Sequence, residues 1–263
     1  MIKRNPGVPE VLLYVAISRV RKFTTADNKA IDQLIRLTSN CPWLDTRTVI
    51  WKGNVGHDFS SAEACLRTIS ETANADDYVM IRNRSGYGPS KDSWYSAYVK
   101  QFNKSPAMGL VGSTINFDGY HRPTISGIKT HVQTYVYLSK WQHLKPLYDQ
   151  YPGARCTDRK ELIIEGEIGL SRYMMDCGLQ LSCLHWPNHV FGVTFPKDPK
   201  LPQIDIKKTV TDIPIRYKYS SYLRQLRKLP WKLIWLIKRC CGLVFPGWCP
   251  KMHVNHLYLK EYD

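Results

Sequence analysis

Hydrophobic and polar positions come in alternating blocks over the first third of the chain. Residues 11–18 (VLLYVAIS) are a continuous apolar run with β-branched and aromatic members, the pattern of a strand buried on both faces. Residues 26–38 follow with Ala30, Ile31, Leu34, Ile35 and Leu37 at helical spacing. Residues 46–51 (TRTVIW) predict a second strand. Residues 60–72 predict a second helix, with Ser60 or Ser61 as N-cap and Glu63 in its first turn. Residues 78–81 (YVMI) predict a third strand. The order β-α-β-α-β predicts a doubly wound sheet, whose ligand crevice lies at the carboxyl ends of its strands.

Past Gly86 the alternation changes. Residues 94–102 predict a helix, 108–115 (MGLVGSTI) and 131–138 (HVQTYVYL) predict strands, and 139–149 a helix. A short apolar stretch at 162–164 leads into a predicted helix over 166–177, with Gly178 as its C-terminal stop, and 179–184 predicts a further strand. The proline-rich segment 187–202 reads as a boundary. It divides a domain over 1–200 from a tail over 201–263.

Composition narrows the class. The chain has 263 residues, 43% hydrophobic and 22% charged, which suits a folded domain with a full core rather than a disordered chain. The net charge of +15 favours polyanionic or phosphorylated partners. That charge is concentrated: residues 213–260 hold ten Lys or Arg and no Asp or Glu. Within them, 217–239 (YKYSSYLRQLRKLPWKLIWLIKR) interleaves Leu, Ile and Trp with basic residues at roughly helical spacing, and Pro230 kinks or breaks the pattern. Trp beside Lys and Arg on an amphipathic segment fits an anionic membrane surface, through residues 213–250. A helix packed on the domain with a solvated basic face is the plainer alternative. Nucleic acid is not expected as a partner, because 233–237 is too apolar. The cysteines form no CxxC pair and no zinc spacing, and the expected compartment is reducing. The amino-terminal stretch does not read as a signal peptide, and no apolar run approaches the roughly 20 residues that cross a bilayer. The expected localisation is cytoplasmic and peripheral on a membrane face.

Two segments carry candidate chemistry. Arg82-Asn83-Arg84-Ser85-Gly86-Tyr87-Gly88-Pro89 follows the third predicted strand. A polar cluster at that place fits a ligand site, while Asn, Ser, Gly and Pro equally fit a plain turn. Glu165-Gly166-Glu167 stands at the expected start of a helix. An acidic helix start is ordinary, because the dipole stabilises the anion there. The same feature would keep a general base ionised, and the candidate catalytic carboxylates are Glu167 and Glu165.

The element order, the polar triplet at 83–85 and the acidic element resemble the GT-A glycosyltransferases. In many of these the triplet is Asp-x-Asp, and a later element reads Glu-Asp-x-x-Leu-x-x-Arg before a closing Gly-Tyr. This chain has Glu165-Gly166-Glu167-Ile168-Gly169-Leu170-Ser171-Arg172, then Asp176-Cys177-Gly178-Leu179. The spacing from Glu167 to Gly178 fits that from the family's base aspartate to its helix-ending glycine, which implies Glu167 as the base and Glu165 as a supporting or acceptor-binding group. The segments Asn83–Pro89, Leu110-Val111-Gly112-Ser113-Thr114-Ile115-Asn116 and His131-Val132-Gln133 are similar to segments of polysaccharide glycosyltransferases of the rhamnan and O-antigen type. The resemblance covers roughly residues 10–190.

It implies an α/β, GT-A-like (Rossmann-like) mixed sheet flanked by helices, with the basic amphipathic tail appended. It implies inverting transfer from a dTDP- or UDP-sugar, rhamnose among them, to a glycan or lipid-linked acceptor. The donor would be held by Ser18, Arg19, Arg21, Lys52, Gly53, Asn54, Asp58, Arg82, Asn83 and Ser85. The sugar or acceptor would meet Gly112, Ser113, Thr114, Asn116, His131 and Gln133. Mn²⁺ or Mg²⁺ is implied by the family, with Asn83, Ser85, His185 or His189 as its candidate ligands. Neutral Asn and Ser in place of Asp-x-Asp equally fit a metal-independent enzyme, in which Arg82 or Arg84 neutralises the diphosphate. The reading from another class is a basic nucleotide- or nucleic-acid-binding α/β protein without sugar chemistry.

Overall fold

The computed structural model describes residues 1–116, 130–192 and 213–217. The chain divides into two units, Met1–Ile215 and Arg216–Asp263. Of the second, only the short strand Arg216–Tyr217 is described, so the basic amphipathic tail lies outside the described residues.

In chain order the first unit is β1 (Val11–Ser18), α1 (Thr25–Ser39), β2 (Leu44–Lys52), α2 (His57–Ile69), β3 (Tyr78–Arg82) and β4 (Gly86–Tyr87). Then come α3 (Trp94–Phe102), β5 (Met108–Gly112), β6 (Ile115–Asn116), β7 (His131–Val132), β8 (Val136–Lys140) and α4 (Trp141–Leu144). A last helical run, α5 (Arg159–Glu161), a π-helical turn (Leu162–Ile168) and α6 (Gly169–Asp176), precedes β9 (Gln180–Cys183) and β10 (Val190–Phe191).

The fold is α/β with a mixed sheet. β1 and β2 pair in parallel, as the alternation of the first third predicts. β3 does not extend that ladder. It joins a five-stranded sheet of order β10-β9-β5-β8-β3, in which β8 runs antiparallel to both β3 and β5, and β9 runs parallel to β5. The sheet is mixed, as the resemblance implies, but β3 leaves the β1–β2 ladder that the β-α-β-α-β order predicts it to extend. β8 follows β7 through a short connection and enters between β3 and β5 from their carboxyl ends. Hydrogen-bonding partners are set by this tertiary insertion, which hydrophobic periodicity does not encode.

Both faces of the five-stranded sheet are covered. Leu110, Tyr137 and Leu181 join one core with Ala62, Leu66 and Ile69 of α2 and with Leu170 and Met174 of α6. Alternation turns the neighbouring side chains the other way. There α3 packs on β5, β8 and β9, with Gln101 Nε2 donating to Ser182 Oγ at 2.7 Å. Leu66, Leu110 and Leu138 are fully buried, each stabilising by roughly 1.5–3 kcal/mol.

Helix starts differ in detail from the pattern. Thr24 caps α1 in a capping box: its side chain accepts from Asp27 N, and Asp27 Oδ2 accepts from Thr24 N at 2.9 Å. α2 begins at His57 with Gly56 at its N-cap position, four and five residues before the serines expected as caps. Ser60 and Ser61 instead donate from within the first turns to the carbonyls of Val55 and His57. The short apolar stretch at 162–164 is itself helical, and the helix begins at Arg159. Asp158 caps that helix, its Oδ1 accepting from Lys160 N and Glu161 N at 2.8 and 3.1 Å. Gly178, at φ 77°, closes α6 as its sequence position predicts.

Candidate functional site

The inserted β8 defines one polar edge. Residue pairing aligns Arg82 with Val136, Gly112 with Tyr137, and Gly112 with Cys183. The ends of β3 and β5 therefore flank the start of β8, and β9 ends beside β5. The turn at 83–85, the segment 113–116, the connection 133–135 and His185 all leave the sheet along this edge. Sequence separations of up to a hundred residues are closed by one row of strands.

Local hydrogen bonds shape each of these segments. Asn83 Oδ1 accepts from Ser85 N at 2.8 Å, and Gly86 N donates to Asn83 O at 3.1 Å, so 83–86 is an Asx-closed turn. Asn83 N donates to Tyr135 O at 3.2 Å, tying this turn to the start of β8. Arg82 Nη2 donates to Gly86 O at 2.8 Å, and burial pulls the Arg82 guanidinium below its ordinary pKa. No carboxylate pairs with Arg82 among the described residues. Arg84 is exposed.

Gly112 is buried and packs closely on Val132. Ser113 is buried between Tyr98 Oη and the Ile215 carbonyl, to which its Oγ donates. Thr114 Oγ1 donates to Gln133 Oε1 at 2.7 Å, lies 3.0 Å from Tyr135 Oη, and its carbonyl accepts from Gln133 N at 3.1 Å. Asn116 and His131 face each other across the β6–β7 ladder. Burial pushes the Tyr98 and Tyr135 hydroxyls well above the ordinary tyrosine range, opposed in part by their hydrogen bonds to Ser113 and Thr114 respectively. Both remain neutral. The sequence reading of Gly112, Ser113, Thr114 and Gln133 as one group matches their proximity. Gly112, Ser113 and Gln133 are buried, and Thr114 is half-buried.

The two glutamates part company. They sit inside the π-helical turn, seven and nine residues beyond the Asp158 cap, so the helix-start argument does not apply to them. Glu165 is exposed and lies beside Cys156, whose thiol is raised by burial and by the carboxylates of Glu161, Glu165 and Asp158. Glu167 is half-buried and turned toward the polar edge: its Oε1 accepts from Thr134 N at 2.9 Å and from Thr134 Oγ1 at 3.3 Å. Side chains two residues apart on a helix point to nearly opposite sides, which separates Glu165 from Glu167 here.

A second polar group lies at the carboxyl ends of β1 and β2, where Ser18 pairs with Lys52 and Arg19 N donates to Lys52 O at 2.8 Å. Ser18 Oγ approaches Ser61 Oγ of α2 at 3.5 Å. Burial lowers the Lys52 ammonium pKa, and the nearby Asp58 carboxylate partly restores it. Asn54 turns the chain into α2, its carbonyl accepting from His57 N at 3.3 Å. Arg21 is occupied elsewhere, forked onto Asp27 at 2.8 and 2.9 Å. Trp51 is 38% exposed and Phe23 37%, their rings 4.4 Å apart edge to face, with the Arg19 guanidinium 5.8 Å over the Trp51 ring. The π turn lies between the two polar groups: Gly166 meets Phe59 of α2, and Gly56 N donates to Cys156 O at 3.0 Å.

The residues named for a metal do not fit one. Asn83 offers a neutral carbonyl already used by Ser85, and Ser85 a hydroxyl. The His185 ring meets that of Trp186 at a tilt, centroids 4.8 Å apart, and His189 is tied through its backbone to Trp186 and Ser182. Among the described residues no three His, Cys, Asp or Glu side chains cluster closely enough to hold a cation.

Sequence reasoning missed Thr134, Tyr135 and Trp51. Reading 131–138 as one unbroken strand hid the connection that Thr134 occupies, although Thr beside Gln ahead of an aromatic run is a polar interruption. Trp51 was read only as a strand residue. Its position next to Lys52-Gly53-Asn54 is the signal that it closes a strand at an open edge. No family model matches this chain, and no curated protein is significantly similar to it.

Proposed function

We propose that the chain is an inverting glycosyltransferase that moves a sugar from a nucleoside-diphosphate donor to a hydroxyl of a glycan or lipid-linked acceptor. The observation that carries this reading is the Glu167 carboxylate. One oxygen is anchored by Thr134, and the other accepts no hydrogen bond among the described residues. It stands at the edge that also presents Thr114, Gln133 and Arg82.

In this reaction the acceptor hydroxyl oxygen attacks the anomeric carbon, and its proton passes to Glu167. The bond from that carbon to the diphosphate oxygen breaks on the opposite face, and the nucleoside diphosphate departs with the electron pair. One carboxylate suffices, unlike the acid and base pair of a glycoside hydrolase. Arg82, a half-buried cation without a carboxylate partner among the described residues, meets the developing charge of the leaving group. Thr114 and Gln133 offer hydrogen bonds to sugar hydroxyls, and the exposed faces of Trp51 and Phe23 offer a platform for the base, with Ser18, Arg19, Asn54 and Asp58 beside them. No step is routed through a cation, because the oxygens at Asn83 and Ser85 do not form a site for one. A dTDP- or UDP-sugar is the expected donor. Residues 213–250 are the proposed contact with an anionic membrane, and no helix among the described residues is long and apolar enough to cross one.

A panel of nucleotide-sugars with a polyol or glycan acceptor tests the reading. Turnover of one donor by the unaltered chain, lost in Glu167→Gln with donor affinity retained, is the expected result. Salt-sensitive binding to oligonucleotides with no turnover of any nucleotide-sugar would overturn it.

A further inference from the structure

We infer that Thr134 is a positioning residue for Glu167, fixing one carboxylate oxygen so that the other faces the incoming hydroxyl. The inference rests on the reading of Glu167 as the base. Thr134 gives Oε1 two donors, its backbone N–H at 2.9 Å and its hydroxyl at 3.3 Å. Glu167 reaches this contact from the π turn, and Thr134 from the connection between β7 and β8, 33 residues earlier.

That connection is itself held still. Gln133 N donates to Thr114 O at 3.1 Å, Gln133 Oε1 accepts from Thr114 Oγ1 at 2.7 Å, and Tyr135 O accepts from Asn83 N at 3.2 Å. Residues 134–135 form a turn between β7 and β8. Gln133 is held on Thr114, and Thr134 reaches the π turn.

A glutamate has three rotatable side-chain bonds, and its carboxylate otherwise swings. Two donors on one oxygen remove that freedom. They leave the lone pairs of Oε2 for the proton, which arrives in a fixed direction. Charge-assisted donors also hold more firmly than neutral ones. The arrangement thus acts on the orientation of the base and leaves the donor-binding groups untouched. A merely structural Thr134 would tie a loop to a helix, and its loss would lower stability without selectively lowering kcat.

The test uses the full chain and the nucleotide-sugar that it turns over. Thr134→Val keeps the shape and the backbone donor and removes the hydroxyl. We expect kcat to fall about tenfold, the loss of one hydrogen bond to a charged group. The donor KM and the donor Kd by calorimetry stay unchanged, and Thr134→Ser recovers kcat to within about twofold of the unaltered chain. Thr134→Ala carries the same expectation should the valine variant fail to fold. Unchanged kcat in a folded Thr134→Val, or a fall that Thr134→Ser does not recover, would overturn the positioning role while Glu167 kept its own. No turnover by the unaltered chain with any donor would instead remove the reading of Glu167 as a base, and this inference with it.

Discussion

Gly166 lies flat against the ring of Phe59: a Cβ on that glycine would stand 2.5 Å from the ring atoms. The contact seats the π turn on α2 and sets where the neighbouring Glu167 points. Gly166→Ala forces the ring or the turn to move. It is expected to destabilise the fold by about 1–3 kcal/mol, the usual cost of overpacking. Thermal denaturation checks this, and transfer activity should fall further than stability explains. Phe59→Leu combined with Gly166→Ala should recover part of both.

Glu165 and Glu167 are two residues apart, yet only Glu167 is turned to the polar edge and held by Thr134. Glu165→Gln is therefore expected to keep kcat within about threefold, the scale of a surface substitution. Glu167→Gln is expected to lower it by at least about a hundredfold, the contribution of a general base. Steady-state kinetics of the two variants, measured side by side, decides between the carboxylates. Equal losses in both would return the question to the undivided pair.

Trp51 offers an exposed ring with Arg19 above it and Phe23 at its edge. Stacking of a base on an aromatic face is worth about 1–3 kcal/mol. Trp51→Ala should weaken nucleotide binding by about tenfold or more, with little change in melting temperature. Calorimetric titration with the free nucleoside diphosphate reads this directly. Unchanged affinity would move the base away from the ends of β1 and β2.

Asp27 is pulled down to about 2 by its hydrogen bond with Thr24 and then by Arg21. A carboxylate depressed in the folded state stabilises the fold above its unfolded pKa. That contribution is lost as pH falls from the ordinary aspartate range through about 2. Asp27→Asn should remove this acid-dependent contribution and lower the melting temperature at neutral pH by about 2 °C, as expected for a weakened cap. Melting curves between neutral pH and pH 2.5 or so check both effects. A variant whose acid profile matches that of the unaltered chain would assign the capping box no role in α1.

The sequence by itself determined the elements whose signal is local. The apolar run at Val11–Ser18, the helix Trp94–Phe102 and the stop at Gly178 follow from periodicity and backbone preference, and each lies where it was expected. It also singled out the polar residues Asn83, Thr114, Gln133 and Glu167 as candidates. The resemblance, through the spacing from Glu167 to Gly178, assigned the base role to Glu167, but no local pattern showed which carboxylate is held at the polar edge. Only the tertiary structure decided that β8 enters between β3 and β5 from their carboxyl ends, bringing Thr134 to Glu167 and Tyr135 to Asn83. The physical reason is that hydrogen bonds between strands distant in sequence depend on which surfaces pack. Neither hydrophobic period nor charge pattern records that choice.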